Sequence, residues 1–367
     1  MTAAPLEIAI DSGPLYGHRT GVGVAVDGMI RSLEAHDDVR LSPYLVSFRS
    51  DATGGHRRLP LPGIVASHLW SRTDLPRADR WLAGAAVLHG TNYTAPPTSL
   101  PTVVSVYDCW FLAHPDLASP IVRRAGEALR RRIASGAWIH ASSEATADRV
   151  RDLLATDRVR TVFLGAPEID ESTAERPDLT TRFGSLPFVV CVATEERRKG
   201  LPLLVDAFEQ LAGDHPDLSL VLAGAPGDDS DAVTAAVGRA GQGTQARIHR
   251  LGVVDDTAKQ WLVRHAALLA YPSLDEGFGF PVLEAQAMGT PVVATGVGSV
   301  TEIAGEAAEL VPERDPIEFA GAIDRVLTDS GLRRRLTESG YRNLDRFRWA
   351  TTAEHLTRLY RDALADR

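Results

Sequence analysis

The sequence predicts an α/β protein built from two doubly wound domains in tandem. Three observations carry this. Short apolar runs alternate with helical patterns through both halves, the alternation lapses around residues 168–185, and the chain has 367 residues, room for two ordinary domains. Strand–helix alternation of this kind makes a parallel sheet covered on both faces.

In the first half, Ile8 to Ile10, Tyr44 to Phe48, Ala86 to His89, Val103 to Val106, Trp138 to Ala141 and Val159 to Leu164 read as strands. Helical patterns intervene, among them Val24 to Leu33, after Gly21-Val22-Gly23, and Thr146 to Leu154. The stretch 168–185 is polar, acidic and rich in breakers, which reads as a linker holding one short helix. The pattern then restarts. Phe188 to Val192, Leu218 to Leu222, Arg247 to Leu251, Ala267 to Tyr271 and Pro291 to Ala294 are strands, with a short run at Ala308 to Val311. Leu201 to Leu211 is a helix with Leu204, Phe208 and Leu211 on one face. Further helices fall near 231–240, 256–265 and 281–288, over Ile317 to Leu327 and over Thr351 to Leu364. The expected division is a first domain over 1–167, the linker over 168–185, a second domain over 186–348, and a C-terminal helix over 349–367 that packs back towards the first domain. In open parallel sheets ligands bind at the carboxyl ends of the strands, so the cleft between two such domains is the expected site.

Composition narrows the function classes. The formal net charge is −9, which argues against general nucleic-acid binding. The two cysteines, Cys109 and Cys191, lie in apolar strand-like runs. They read as buried thiols, with neither a disulfide framework nor a zinc set. With no basic leader, no apolar h-region and no run of about 18 apolar residues, the expectation is a cytoplasmic protein. Five arginines, at 123, 124, 130, 131 and 132, share one predicted helix. A solvated face is the default reading, and an anionic membrane surface or lipid-linked acceptor the alternative.

Two stretches carry chemistry. In Tyr271 to Pro291, YPSLDEGFGFPVLEAQAMGTP, a strand leads into a loop with Asp275, Glu276, Gly277 and Gly279, and Pro281 opens a helix. That helix start offers free N–H groups and a positive dipole end to an anion. Glu276 in the loop and Glu284 in the helix could both face a hydroxylated ligand lying over it. In Val192 to Leu201, VATEERRKGL, the cations Arg197, Arg198 and Lys199 stand at another helix start, where their charge opposes the dipole. That misplaced sign points to a phosphate, held by an arginine fork and a lysine point charge. Asp229-Ser230-Asp231 imitates a metal-binding pair but reads as a solvated turn.

These stretches resemble glycosyltransferase family 4, of the GT-B fold, and its mannosyltransferase-like bacterial members in particular. The family pattern EGFGxPxxEAxAxGxPV stands here from Glu276 to Val292, and its Arg-Lys pair is matched by Arg198-Lys199. Also similar are Asp11 with RTGVG, HGTNYTAPP from His89, SVYDCWFLAHP from Ser105 and SVTEIAGEAAELVPERDP from Ser299. The resemblance implies two Rossmann-like domains facing across a cleft. It also implies metal-independent, retaining transfer from a GDP- or UDP-linked sugar to a hydroxyl acceptor, with no cofactor.

The implied roles follow by position. Glu276 meets the sugar hydroxyls and the developing positive charge, with Arg198 and Lys199 catalytic beside it. Gly277, Phe278 and Gly279 line the sugar. The backbone at Phe280, Pro281, Val282 and Leu283, with Arg198 and Lys199, holds the diphosphate, and Gly23 lets the first domain approach it. Glu284 takes the ribose hydroxyls, and Ile248 to Val253 flank the base. Tyr107, Asp108 and Asn92 are the expected sugar or acceptor contacts. Here the chain departs from the family, which often has His-Asp where Tyr107-Asp108 stands. Tyr107 at the cleft mouth would crowd a hydroxymethyl group and favour donors altered at C6. An epimerase of the same fold and a non-catalytic nucleotide-sugar-binding protein are the rival readings.

Overall fold

A computed structural model of the chain describes residues 4–16, 21–47, 56–169, 176–184, 186–312 and 314–366. Phe48, and Arg19 and Thr20 of the RTGVG stretch, lie outside these residues. The chain forms two compact units, one of Met1–Gly165 with Phe347–Arg367 and one of Ala166–Arg346.

The first unit holds strands β1 (Leu6–Asp11), β2 (Val39–Val46), β3 (Arg57–Leu59), β4 (Val87–Gly90), β5 (Thr102–Val106), β6 (Trp138–Ala141) and β7 (Val159–Thr161). They form one parallel sheet in the order β3-β2-β1-β4-β5-β6-β7. Its helices are α1 (Gly21–Glu34), α2 (Gly63–Trp70), α3 (Trp110–Ala113), α4 (Pro120–Ala134) and α5 (Glu144–Leu154). Helix α1 begins at Gly21, so Gly21-Val22-Gly23 is its first turn rather than a loop before it.

The second unit holds β8 (Phe188–Val192), β9 (Ser219–Ala223), β10 (Ile248–Gly252), β11 (Leu268–Tyr271), β12 (Val292–Thr295) and β13 (Glu309–Val311). This sheet is parallel in the order β10-β9-β8-β11-β12-β13. Its helices are α6 (Pro177–Phe183), α7 (Leu201–Leu211), α8 (Ser230–Arg239), α9 (Gln242–Gln245), α10 (Asp256–His265), α11 (Phe280–Ala287), α12 (Val300–Ala304), α13 (Pro316–Thr328) and α14 (Ser330–Asn343). Alternate strand residues feed two separate cores. Val189, Cys191, Leu220, Leu222, Leu268 and Ala270 pack on one face, and Phe188, Val190, Val221, Leu269, Tyr271 and Val292 on the other. A sheet buried on both faces explains why its strands read as unbroken apolar runs. Leu179 and Phe183 of α6 join the second of these cores, so residues 177–183 belong to this unit's packing. Both cysteines are buried and free.

The last helix, α15 (Trp349–Ala365), returns to the first unit. Two glycines make room for its first residue, since a Cβ on Gly28 or Gly165 would lie 2.1 or 2.3 Å from the Trp349 ring. A buried polar chain ties the helix to the sheet. Tyr360 Oη lies 2.8 Å from His89 Nδ1, and His89 Nε2 lies 2.8 Å from Ser105 Oγ. Ser105 Oγ lies 2.8 Å from His140 Nδ1, and His140 Nε2 lies 3.0 Å from the Val162 carbonyl. The carbonyl can only accept, so one direction satisfies every member. His140 donates to Val162, Ser105 to His140, His89 to Ser105 and Tyr360 to His89. The arrangement needs both imidazoles neutral. Burial supplies this, lowering His140 to about 4 and His89 well below the usual range.

Two outcomes follow from this chain. Tyr360→Phe strands His89 Nδ1 and should cost about 1–3 kcal/mol in denaturant unfolding; an unchanged midpoint would mean the bond contributes nothing. Unfolding frees both rings to protonate at their ordinary pKa of about 6.5. The pair therefore subtracts stability as pH falls from there towards 4, and the loss vanishes above that window. By NMR, neither ring should take up a proton above pH of about 5.

Candidate active site

In the second sheet the strand order reverses direction between β8 and β11, which makes that boundary the topological switch point where open α/β sheets bind ligands. The loops after these two strands carry the Arg197–Lys199 turn and the 272–279 segment. They are stitched directly, with the Leu274 N–H donating to the Arg198 carbonyl at 2.6 Å. Gly200 permits the approach. Its φ is 64°, and a Cβ there would sit 2.3 Å from the Pro272 carbonyl oxygen.

Glu276 sits where the loops meet and is 7% exposed. Its carboxylate accepts from Lys199 Nζ at 2.5 Å, from an Arg198 guanidinium nitrogen at 3.3 Å and from Ser273 Oγ at 2.8 Å. Burial alone would raise its pKa. The charges of Lys199 and Arg198, and the hydrogen bonds from Lys199 and Ser273, outweigh burial and hold it at about 2. The loop is fixed from the other side as well. Ser299 Oγ donates to the Glu276 carbonyl at 2.9 Å, and Thr295 Oγ1 donates to the carbonyl of Ser273.

Arg198 also donates to Glu196 at 2.9 Å. The surplus of positive charge expected at this turn is thus largely neutralised in the protein itself. Two of its three cations face carboxylates, and only Arg197 extends into solvent.

Glu284 lies in α11, is buried, and accepts from Lys259 Nζ of α10 at 2.7 Å. Helix α11 starts behind Gly279, whose φ is 98°, with Phe280 and Pro281 as its first residues. Phe278 packs edge-on against Phe280, with centroids 5.1 Å apart, and Val282 and Leu283 are fully buried. The backbone around the helix start, apart from Pro281, which has no N–H, is what this segment can offer an anion.

A second ion pair, between an exposed arginine and a buried glutamate, stands beside the cationic turn. Arg250 of β10 donates to both oxygens of Glu195, at 2.9 and 2.6 Å, and to Thr234 Oγ1 at 2.8 Å. In the segment expected to flank a base, Ile248–Gly252 forms β10 and Val253 is 57% exposed. Sequence reasoning missed Ser273, Ser299, Lys259 and the Glu195–Arg250 pair. Only Ser273, three residues before Glu276, left a local signal.

The remaining expected residues belong to the first unit. Gly23 is buried in the first turn of α1, and Asn92 is exposed after β4. Asp108 accepts from Tyr93 Oη at 3.0 Å and from the Trp110 N–H at 3.1 Å. Tyr107 follows β5, and its phenol is committed within the first unit. It is 7% exposed, its hydroxyl donates to the Thr91 carbonyl at 2.8 Å, and its ring stands edge-on to Tyr93. Burial pushes its phenol far up.

The arginine helix is only partly a solvated face. Arg131 and Arg132 both pair with Asp74, and Arg132 is 4% exposed. Arg123 and Arg130 donate to the Ala118 and Leu153 carbonyls. Asp229 and Asp231 occupy the cap and first turn of α8. No group of three or more His, Cys, Asp or Glu among the described residues is arranged to hold a metal ion. Among the same residues, no helix is long and apolar enough to cross a membrane.

Residues 176–343 match the family model described as glycosyl transferases group 1. A D-inositol 3-phosphate glycosyltransferase of Acidothermus cellulolyticus is 31% identical over 332 residues, covering 83% of this chain and 68% of that one. A phosphatidyl-myo-inositol mannosyltransferase of Mycobacterium leprae is 31% identical over 169 residues, covering 45% and 44%. Among solved structures, a sucrose-phosphate synthase of Thermosynechococcus elongatus superposes with a TM-score of 0.74 at 19% identity, covering 99% of this chain and 100% of that one. Anabaena HepE, solved with UDP and glucose, superposes with a TM-score of 0.69 at 17% identity, covering 96% and 98%.

The ion cluster sets a stability test. Glu276→Gln and Lys199→Met should each cost about 3–5 kcal/mol, because each leaves a buried charge with fewer partners. The double variant should be less damaged than the two losses summed, by about 1–3 kcal/mol. Strict additivity in denaturant melts would mean the two groups are not coupled.

Proposed function

Because the chain belongs to the group 1 glycosyl transferases, within family 4 of the GT-B fold, we propose that it transfers a sugar from a GDP- or UDP-linked donor to a hydroxyl acceptor. The transfer retains anomeric configuration and uses no metal ion. The observation that carries this reading is the ionised Glu276 held between Arg198 and Lys199 at the β8/β11 switch point.

A nucleotide sugar placed there has a charge for each part. The diphosphate takes Lys199 and Arg198 as partners and faces the N–H groups at the start of α11. Relieved of part of its pairing, Glu276 turns its charge towards the sugar, where an oxocarbenium-like state develops. Glu284, steadied by Lys259, accepts from the ribose hydroxyls. The bond from the anomeric carbon to the diphosphate oxygen breaks, and the bond to the acceptor oxygen forms on the same face. The acceptor proton passes to the departing phosphate oxygen, so no protein nucleophile is invoked. The two cations and the helix dipole do the work that a divalent ion performs at other diphosphates. A group 1 transferase places transfer ahead of the epimerase and binding-only readings.

Glu276→Gln should lower kcat by about 10²–10³ while changing donor KM far less. The product's anomeric proton coupling should match the donor's, with full activity in excess chelator. An inverted product, activity restored only by magnesium or manganese, or conversion of the nucleotide sugar to its epimer without acceptor would each contradict the reading.

A further inference from the structure

The loop that carries Glu276 and the helix that carries Glu284 are joined by a second route, through α12. The near end of α12 is pinned to the loop. Ser299, the residue before this helix, donates to the Glu276 carbonyl from its N–H at 3.3 Å as well as from its hydroxyl. Gly298 lets the segment come this close, because its φ is 52° and a Cβ there would lie 2.9 Å from the same carbonyl oxygen.

The far end of α12 is held by three side chains. The last carbonyls of a helix have no partner inside it. Here the Glu302 carbonyl accepts from Arg346 at 3.1 Å, the Ile303 carbonyl from Asn343 Nδ2 at 2.8 Å and the Ala304 carbonyl from Gln286 Nε2 at 3.4 Å. Gln286 belongs to α11, Asn343 ends α14, and Arg346 stands in the turn that follows. The three are also bonded to one another. Asn343 Nδ2 donates to Gln286 Oε1 at 2.9 Å, and Arg346 donates to Asn343 Oδ1 at 2.8 Å. Both amides are buried. Two glycines leave room for them, since a Cβ on Gly340 would lie 3.2 Å from the Gln286 side chain and one on Gly305 would lie 3.3 Å from Asn343 Oδ1.

We infer that Gln286 and Asn343 are positioning residues that set the separation and relative orientation of Glu276 and Glu284. Successive helix residues turn by about 100°, so Gln286 points to nearly the opposite side of α11 from Glu284. Glu284 meets Lys259 of α10 there, while Gln286 meets α12 and α14. The apolar contacts of Val282, Leu283 and Ala285, all fully buried, are non-directional and leave the helix free to roll. Two amides whose hydrogen-bonding atoms all have partners fix one arrangement. A roll of α11 that breaks the Gln286 bonds also swings Glu284 away from its place relative to the Glu276 loop. The inference rests on the proposed transfer, in which one donor reaches both glutamates. A nucleoside diphosphate has no sugar to meet Glu276, so the separation matters to a nucleotide sugar and not to it.

The test is calorimetric binding of UDP, GDP, UDP-glucose and GDP-mannose to the full chain. Gln286→Met and Asn343→Ala should each weaken the sugar nucleotide that the wild type binds by about tenfold or more. UDP or GDP should keep one site per chain and an affinity within threefold of wild type, and if one variant does not fold the other decides. Thr337→Val is the control. It removes a 3.1 Å bond from α14 to the Gly289 carbonyl at the end of α11 but leaves the bridge to α12 intact. Its sugar-nucleotide affinity should stay within threefold of wild type, whatever it costs in stability. Losses of equal size for diphosphate and sugar nucleotide, sugar-nucleotide affinity unmoved in both variants, or the same selective loss in Thr337→Val overturns the inference. A wild-type chain that binds neither sugar nucleotide would instead count against the transferase reading on which it stands.

Discussion

Glu276 keeps a full negative charge at a position that excludes most water, and the architecture around it follows from holding that charge in place. A carboxylate taken out of water without partners neutralises itself by shifting its pKa upward. Here the shift runs the other way, because Lys199, Arg198 and Ser273 converge on it. That convergence requires the loops after β8 and β11 to touch, which in turn requires a residue without a side chain at Gly200 and the backbone bond from Leu274 to Arg198. Beside that turn, Arg250 donates to both carboxylate oxygens of Glu195. A buried ion pair is weak grounds for claiming stability. What the cluster does in this protein is keep two cations and a carboxylate at one spot.

The two units solve the same topological problem with opposite chemistry. Each is a parallel sheet whose order reverses once, and each has polar side chains near the strand ends. In the second unit the gathered groups are two cations around a carboxylate. In the first they are a carboxylate, phenols, a serine and an imidazole. The first unit also depends on the C-terminal helix, whose Tyr360 closes the polar chain through His89, Ser105 and His140. Residues distant in sequence thereby complete the packing of that sheet.

Much of this was legible in the sequence, and the rest was hidden for definable reasons. Strands buried on both faces announced themselves as apolar runs, and Phe188–Val192, Trp138–Ala141 and Leu201–Leu211 stand where their patterns put them. Helix α14 and strand β3 escaped notice, the first rich in arginine and the second only three residues long. Glu276, Glu284 and the Arg198-Lys199 pair were visible because loop and helix chemistry is local. Lys259 was not, since nothing near it in sequence points to Glu284, 25 residues away. Nor was the Glu195–Arg250 pair, separated by 55 residues. Charge counting suggested an unneutralised cationic turn, whereas the neighbouring Glu196 pairs with Arg198 and a tertiary contact brings Glu276 to Arg198 and Lys199. The burial of Tyr107 was hidden for a related reason. A strand end says where a side chain begins, but its burial depends on Tyr93 and the Thr91 carbonyl.

The central claim is that a diphosphate displaces Glu276 from its cations and takes its place. The most direct measurement is the ¹⁵N NMR shift of Lys199 Nζ and Arg198 Nε during titration with UDP or GDP, compared with uridine or guanosine. Both resonances should move on binding the diphosphate and stay nearly still with the nucleoside, which lacks the groups they hold. Saturable nucleoside-diphosphate binding that leaves both resonances in place would contradict the claim and put the phosphates elsewhere in the protein.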